Sequence, residues 1–293
     1  MAISDNLRGV IYMNVSMLAF TVNDSFMKAA TQTLPLFEAI ALRGIVSFAA
    51  LLIIAQVMGS LRLWPAPRDR AIIGWRSLAE VGGTVFFLVA LTHMPLANLS
   101  AIMQVLPLAV ALAAAVFLGV PIGWRRLAAI GVGFVGVMVI IRPGADSFTI
   151  WSMLGLASVV CVVARDLSTR GLSPHVPSTA VSIWAALAVT AMGFVGAGIE
   201  GWEPVSGSEA VLVLGASAFL IVGYLSSVMV MRVGDIGLIA PFRYTALLWA
   251  ILLGWLAFGT LPDTLTLIGA GIVVASGLFT LARERALRRS GAV

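Results

Sequence analysis

Long apolar segments separated by short polar links divide the whole chain. A helix needs about 20 apolar residues to cross a bilayer, and ten stretches of roughly this length occur in the sequence. They lie near 8–27, 35–58, 71–92, 97–118, 123–141, 150–169, 177–198, 208–230, 236–258 and 262–282. Because the stretches are continuous and show no strand-like alternation, we predict an all-α integral membrane protein with ten transmembrane helices.

The charge content agrees with a membrane protein and excludes a soluble globular protein. Only 11% of the residues are charged, whereas a soluble globular protein carries about 25%. So few charges cannot cover a water-facing surface. The net charge of +5 does not indicate a nucleic-acid partner, because the basic residues lie in short links, where they act as topology signals.

The distribution of Lys and Arg predicts the orientation. If the N-terminus is cytoplasmic, two basic residues, Lys28 and Arg142, lie outside, and thirteen lie inside. The thirteen are Arg8, Arg62, Arg68, Arg70, Arg125, Arg126, Arg165, Arg170, Arg232, Arg283, Arg285, Arg288 and Arg289. We therefore expect both termini to be cytoplasmic and the first segment to be retained as a membrane helix.

The second half of the chain repeats the first. A shift of 138 residues aligns segments 4–5 with segments 9–10, and a shift of 142 aligns the starts of the halves. Examples are Gly131 with Gly269, Gly133 with Gly271, Asp24 with Asp166, and Lys28 with Arg170. Each half then has five helices. Because five is odd, the halves at 1–145 and 146–293 must have inverted topology, as in many secondary transporters.

Residues 96–144 resemble the repeat signature of the drug/metabolite transporter superfamily, EamA type. The resemblance rests on Pro107 in mid-segment, the Leu118-Gly119 turn and the glycines that follow it. Lys28 and Arg43 match the start of the same repeat. The resemblance implies a ten-helix protein of the bacterial inner membrane that works by alternating access, through a central cavity between the repeats. It also implies export of amino acids or similar metabolites, with aromatic and neutral amino acids favoured.

Glu80 stands in the third apolar segment, nine residues from its start and so roughly 13 Å along the helix axis. An ionisable group at that depth costs roughly 2.5–3.5 kcal/mol on insertion scales, which favours a functional role. Gly83, Thr84 and Phe87 share its helix face. We interpret this face as a cavity wall, with room for a ligand at Gly83 and with Glu80 as the partner of a proton or an ammonium group. The alternative is that Arg76, four residues earlier, only neutralises Glu80 within the helix.

Arg43 lies about a third of the way into the second segment. Asp24 and Glu38 are candidate partners for a gating or structural ion pair. Direct contact between Arg43 and a substrate is the alternative.

Four further residues are candidates for the lining of a cavity: Gln104, Tyr224, Arg243 and Tyr244. Gln104 stands one turn before Pro107, and its amide suits either end of a zwitterion or an interhelical hydrogen bond. Arg243 follows Pro241, which disturbs the preceding turn; it is read as a contact for a substrate carboxylate or as part of an internal ion pair. Tyr244 points about 100° away from Arg243 around the helix.

A secondary transporter of small zwitterions is the function that these features favour. A flippase or a carrier of another metabolite or lipid intermediate on the same fold is the alternative. The sequence has no Walker-type phosphate loop, and its two histidines and single Cys161 provide no catalytic set. We expect no enzyme activity, cofactor, metal or nucleic-acid partner. The expected partners are a small-molecule substrate and the lipid bilayer, with the chain a monomer or weak homodimer.

Overall fold

The structure, a computed structural model, describes residues 5–57, 59, 65–120, 123–143, 149–173, 175–230, 233 and 235–289. Within these ranges every regular element is a helix. Arg62 and Arg232, two of the residues that predict the orientation, lie outside the described residues. The orientation of the termini and the inverted relation of the halves remain predictions.

Twelve α-helices and one 3₁₀ segment make up the described part of the chain. They are α1 (Asp5–Ala30), α2 (Leu36–Val57), α3 (Pro67–His93), α4 (Leu96–Met103), α5 (Leu106–Leu118), α6 (Trp124–Ile141), α7 (Ile150–Arg170), α8 (Ser178–Glu200), α9 (Gly207–Val230), α10 (Ile236–Ile239), the 3₁₀ segment Ala240–Tyr244, α11 (Thr245–Phe258) and α12 (Thr264–Arg289).

Nine helical stretches in the described residues are long and apolar enough to cross a membrane, with α4–α5 counted as one stretch. They confirm the second to tenth predicted spans. The first predicted span corresponds to α1, a helix of 26 residues with a more polar sequence. Some of its polar residues are buried: Ser16 is fully buried and donates a hydrogen bond to the carbonyl oxygen of Gly223 at 2.8 Å.

The described chain forms two compact units, and each unit takes segments from both sequence halves. Unit 1 consists of described residues within Met1–Val22, Met94–Leu156 and Val222–Val293, and unit 2 of those within Asn23–His93 and Ala157–Ile221. The two compact units therefore do not coincide with the two halves of the sequence repeat. The two five-helix repeats stay a prediction.

Unit 1 contains a close crossing of α6 and α12. A Cβ atom added to Gly136 would lie 2.8 Å from the carbonyl oxygen of Gly269, and one added to Gly269 would lie 2.6 Å from the carbonyl oxygen of Gly136. Only glycine allows two helix backbones to approach this closely. Gly131 and Gly271, which the repeat aligns with Gly269 and Gly133 respectively, have no atom within 4 Å of an added Cβ.

Two membrane helices of unit 1 are interrupted along their length. The first breaks at Gln104 and Val105, between α4 and α5, where Pro107 supplies no backbone N–H. The second passes through the 3₁₀ segment that contains Pro241 before α11 begins. Interrupted helices at corresponding positions of two halves point to binding sites in transporters, because they free backbone polar groups.

Unit 2 packs α2 closely against α8. A Cβ atom added to Gly193 would lie 2.6 Å from the backbone nitrogen of Ala41, so these backbones are in direct contact. The helix α3 also packs on α7 in this unit, where Ser158 donates a hydrogen bond to the carbonyl oxygen of Gly83 at 2.9 Å. This packing brings the charged residues of α3 and α7 together.

Candidate functional site

Glu80 on α3 is held between two arginines. Its Oε2 atom lies 3.4 Å from Arg76 Nη1 on the same helix, and its Oε1 atom lies 3.1 Å from Arg165 Nη1 on α7. Arg76 also donates a hydrogen bond from Nε to Thr169 Oγ1 at 3.1 Å. The intrahelical pair considered in the sequence analysis is therefore present, but it forms only half of the environment of Glu80.

Arg165 divides its guanidinium between two carboxylates. Besides Glu80, it contacts Asp166, whose Oδ1 atom lies 2.8 Å from Nη2 and accepts a hydrogen bond from Nε at 2.9 Å. The side chains of Glu80, Arg165 and Asp166 are 23%, 24% and 30% exposed. These side chains hold one another in place by ion pairs, and each remains partly exposed. A binding site for a polar molecule needs both properties.

Arg43 on α2 extends the cluster toward α1. It is buried, and its Nη1 atom donates a hydrogen bond to Asn23 Oδ1 at 3.4 Å. The Nδ2 atom of Asn23 in turn donates to Asp24 Oδ1 at 2.9 Å. Arg43 interacts electrostatically with both Asp24 and Glu80. Hydrogen bonds thus connect α1 with α2, and ion pairs connect α3 with α7, within unit 2.

We call six of these residues the charge cluster: Asp24, Arg43, Arg76, Glu80, Arg165 and Asp166. It contains three carboxylates and three guanidinium groups, so its formal charges cancel. Cancellation lowers the cost of placing charge within membrane-spanning helices, and such residues mark substrate pathways. Opposite charges side by side can also each receive the opposite end of a dipolar ion.

Glu38, the other expected partner of Arg43, lies in a different environment. It is fully buried at the start of α2, and its Oε2 atom accepts a hydrogen bond from the backbone N–H of Glu203 at 3.0 Å. Glu38 Oε1 has no hydrogen-bond partner among the described residues. Asp24, rather than Glu38, is therefore the carboxylate that the structure associates with Arg43.

The other residues predicted on the face of Glu80 have different surroundings. Gly83 is buried against α7, where an added Cβ would lie 3.3 Å from Val162 Cγ2. The open space expected at Gly83 is thus occupied by α7, and this glycine serves helix packing. Thr84 and Phe87 are half-buried, on the same stretch of α3 as Glu80.

The remaining candidates, Gln104, Tyr224, Arg243 and Tyr244, lie in unit 1. Gln104 is buried, and its Nε2 atom donates a hydrogen bond to the carbonyl oxygen of Tyr244 at 2.9 Å. This bond joins the two interrupted helices at their interruptions. Tyr244 is buried and Arg243 is exposed, so the two neighbours face different surroundings. Tyr224 is half-buried.

The hydroxyl group of Tyr244 is buried and has no hydrogen-bond partner among the described residues. It packs against Gly277 of α12, where an added Cβ would overlap it. Buried polar groups usually find a partner. Next to the interruption before α11 there is therefore a buried hydroxyl group whose hydrogen-bonding capacity is unused among the described residues.

Comparison with known proteins decides the family. A model of the EamA-like transporter family matches residues 7–142. This match assigns residues 7–142, the first half of the chain, to the EamA-like transporter family. The family therefore agrees with the resemblance seen in the residues around Pro107 and the Leu118-Gly119 turn.

Several named relatives of this EamA-like transporter extend along nearly the whole chain. The riboflavin transporter of Vibrio cholerae serotype O1 is 26% identical over 279 residues, which cover 93% of this chain and 92% of the relative. The S-adenosylmethionine uptake transporter of Rickettsia conorii is 26% identical over 286 residues, covering 97% and 96%. The pseudopaline exporter CntI of Pseudomonas aeruginosa is 23% identical over 285 residues, covering 94% and 96%.

A solved crystal structure shares the fold of this EamA-like transporter. It superposes with a TM-score of 0.66 at 20% sequence identity, covering 93% of this chain and 96% of the other. At this identity the likeness shows the fold alone. The family match and the named relatives, rather than this structure, support a multi-pass membrane protein that transports a small molecule.

Two residues of the cluster, Arg165 and Asp166, were not identified as site residues from the sequence of this EamA-like transporter. They lie in the run VVARDLSTR, near the end of an apolar segment, where basic residues act as topology signals. The repeat nevertheless indicated that Asp166 is a candidate, because the shift of 142 residues aligns it with Asp24. Both of these carboxylates belong to the charge cluster.

Proposed function

We propose that this EamA-like protein is a secondary transporter that exports small zwitterionic metabolites, amino acids foremost, across the bacterial inner membrane by alternating access. The observation that carries the proposal is the contact of Arg165 with both Glu80 and Asp166. A guanidinium and two carboxylates, each about a quarter exposed, offer partners for both ends of a zwitterion.

The balance of charge favours a zwitterion over a singly charged ion. The charge cluster is formally neutral, so a net charge brought into it would face the cost of burial without a counter-charge. A zwitterion adds no net charge. Its carboxylate has the geometry that a guanidinium binds with two parallel hydrogen bonds, and its ammonium group fits a carboxylate such as Glu80.

The aromatic groups of unit 2 favour an apolar or aromatic side chain on the substrate. Phe87 lies two turns beyond Glu80 on α3 and is half-buried. The rings of Phe26 and Phe219 stack in the same unit, with their centroids 5.9 Å apart. Rings of this kind bury apolar area and stack with other rings. We therefore place aromatic and neutral amino acids first among the candidate substrates.

A carrier of another metabolite is the second candidate function. The names of two relatives favour it: a riboflavin transporter and an S-adenosylmethionine uptake transporter. The third relative is named as an exporter of pseudopaline. With identities between 23% and 26%, these names indicate a range of substrates and two directions of transport. A flippase or a carrier of a lipid intermediate also belongs to this alternative.

Counterflow into proteoliposomes tests the proposal. Purified protein is reconstituted with an unlabelled compound inside, and uptake of the same labelled compound is measured. The panel contains phenylalanine, leucine, riboflavin and S-adenosylmethionine, with empty liposomes as control. We expect counterflow of the amino acids. Counterflow of riboflavin or S-adenosylmethionine alone would favour the second candidate, and counterflow of neither class would reject the zwitterion proposal.

A further inference from the structure

An apolar groove lies between α6 and α12, next to the first turn of α6. Its volume is about 450 Å³, and Trp124, Ala128, Val132 and Phe279 form most of its walls. Trp124 is 74% exposed, as is typical of tryptophans at the membrane–water interface. The groove is an apolar channel with an aromatic group at its entrance, and it lies entirely within unit 1.

Cations surround the entrance of this groove. Arg125 is exposed, and its Cζ atom lies 5.4 Å from the centre of the Trp124 ring. The antiparallel contact of Gly133 with Ser276 places the chain beyond Phe279 beside the start of α6. That part of α12 carries Arg283 and Arg285. The α6 N-terminus adds positive charge, because its first N–H groups have no intrahelical partner.

At the opposite ends of α6 and α12, a carboxylate balances the positive charge of an arginine. There, Arg142 at the end of α6 forms an ion pair with Asp263, just before α12. Near the start of α6 and the end of α12, none of the ion pairs among the described residues joins Arg125, Arg283 or Arg285 to a carboxylate. The Nε atom of Arg285 is buried and has no hydrogen-bond partner in the same part of the chain.

We propose that this groove binds an anionic phospholipid, whose phosphate contacts Arg125 and Arg285 at the entrance and whose acyl chain lies along Ala128, Val132 and Phe279. The phosphate supplies the negative charge that these arginines lack, and the apolar walls explain why a lipid rather than a free anion is the occupant. Basic pockets between membrane helices bind anionic headgroups on the same principle. The proposal is independent of the transported substrate.

Native mass spectrometry of the purified full-length protein in detergent tests the site. The probes are phosphatidylglycerol and phosphatidylcholine with identical acyl chains, and inorganic phosphate. The wild-type protein should retain phosphatidylglycerol, with phosphatidylcholine retained at least about tenfold less, and inorganic phosphate should not displace it. Equal retention of the two lipids, or displacement by phosphate at millimolar concentration, would overturn the proposal.

Two kinds of variant distinguish the groove from the general membrane surface. R125Q/R285Q removes the two headgroup contacts, and Ala128→Trp fills the groove while leaving both arginines. Each should lower the retention of phosphatidylglycerol about tenfold. The control is Arg8→Gln, because Arg8 is an exposed arginine on another helix that lies 3.7 Å from Asp5. Unchanged retention in Ala128→Trp, or an equal loss in Arg8→Gln, would contradict a specific site.

Gel filtration identifies variants that are not folded. If R125Q/R285Q is not folded, the retention measured with Ala128→Trp, which changes an exposed residue, tests the proposal by itself.

Discussion

Arg165 Nη1 lies 3.1 Å from Glu80 Oε1, while Nη2 of the same guanidinium lies 2.8 Å from Asp166 Oδ1. One cation on α7 is thus shared between a carboxylate of α3 and its own neighbour. A substrate carboxylate that binds Arg165 would compete with Glu80, and a substrate ammonium would then find Glu80 available. The charge cluster can therefore bind a zwitterion by exchanging ion-pair partners, and no charged group is left without a partner.

The first prediction concerns the energetic coupling of Glu80 and Arg165. Glu80→Gln and Arg165→Gln should each lower the free energy of unfolding in mixed micelles by about 1–3 kcal/mol, because each leaves a partly buried partner unsatisfied. The double variant should lose less than the sum, with a coupling of about 1–2 kcal/mol. A double-mutant cycle measures this coupling.

The control for that cycle is the pair of Asp5 and Arg8, whose side chains are 74% and 53% exposed. Exposed ion pairs contribute little, so the coupling there should stay below about 0.5 kcal/mol. A second control is Arg170→Gln, which changes an exposed arginine five residues after Arg165 and should change the free energy of unfolding by no more than about 0.5 kcal/mol. Strictly additive effects of Glu80→Gln and Arg165→Gln would show that their contact has no energetic weight.

The second prediction concerns the hydrogen bond between the interrupted helices. Gln104→Leu removes the donor to the carbonyl oxygen of Tyr244, and hydrogen bonds between membrane helices contribute about 0.6 kcal/mol on average and up to about 1.7 kcal/mol. We expect a loss of stability in this range. Gln56→Leu, which changes an exposed glutamine near the end of α2, should be neutral. Equal stability of Gln104→Leu and the wild-type protein would count against this bond.

The sequence predicted where the helices lie but not which helices meet. Hydrophobicity alone located ten spans, and nine of them match helices of the described residues that are long and apolar enough to cross a membrane. This works because the cost of exposing polar groups to lipid acts on each segment separately. The same cost identified Glu80 as a residue in need of a partner. The identity of that partner, Arg165, depends on the packing of α3 against α7, 85 residues apart in the chain. The sequence contains no local signal for such a contact.

Gln104 illustrates the same limit in unit 1. The sequence permitted either a cavity position or an interhelical hydrogen bond, and the structure shows the bond to Tyr244. Gly83 shows the converse, because a glycine that suggested room for a ligand is covered by Val162. A glycine creates space only if the neighbouring helix does not fill it. The identity of that neighbouring helix cannot be predicted from the residues around Gly83 alone.

The third prediction uses two pairs of glycines on the same helices. Gly136→Ala and Gly269→Ala each place a Cβ less than 3 Å from a backbone carbonyl oxygen of the other helix. Each should destabilise the protein by about 1–3 kcal/mol, as overpacking generally does. Gly131→Ala and Gly271→Ala meet no atom within 4 Å, so they should be neutral or stabilising by up to about 1 kcal/mol. Thermal unfolding in detergent compares the four variants, and similar effects at all positions would contradict the close crossing.

The fourth prediction uses the single cysteine of the chain as a reporter. Cys161 is half-buried and stands one turn before Arg165 on α7. A small methanethiosulfonate reagent should modify it, and a bound zwitterionic substrate should slow the reaction at least about fivefold by occupying the adjacent cluster. Cys161→Ser provides the unlabelled control. A labelling rate that is independent of saturating substrate would place the substrate away from Arg165.

The most direct test of recognition at both ends of a zwitterion is a competition measurement on the wild-type protein. Counterflow of labelled phenylalanine into proteoliposomes is measured against unlabelled phenylalanine, phenylalanine methyl ester and N-acetylphenylalanine. The ester keeps only the cation, and the acetyl derivative keeps only the anion. The charge cluster predicts strong inhibition by phenylalanine and at least about tenfold weaker inhibition by either derivative. Inhibition by one derivative as strong as that by phenylalanine would contradict recognition of both charges.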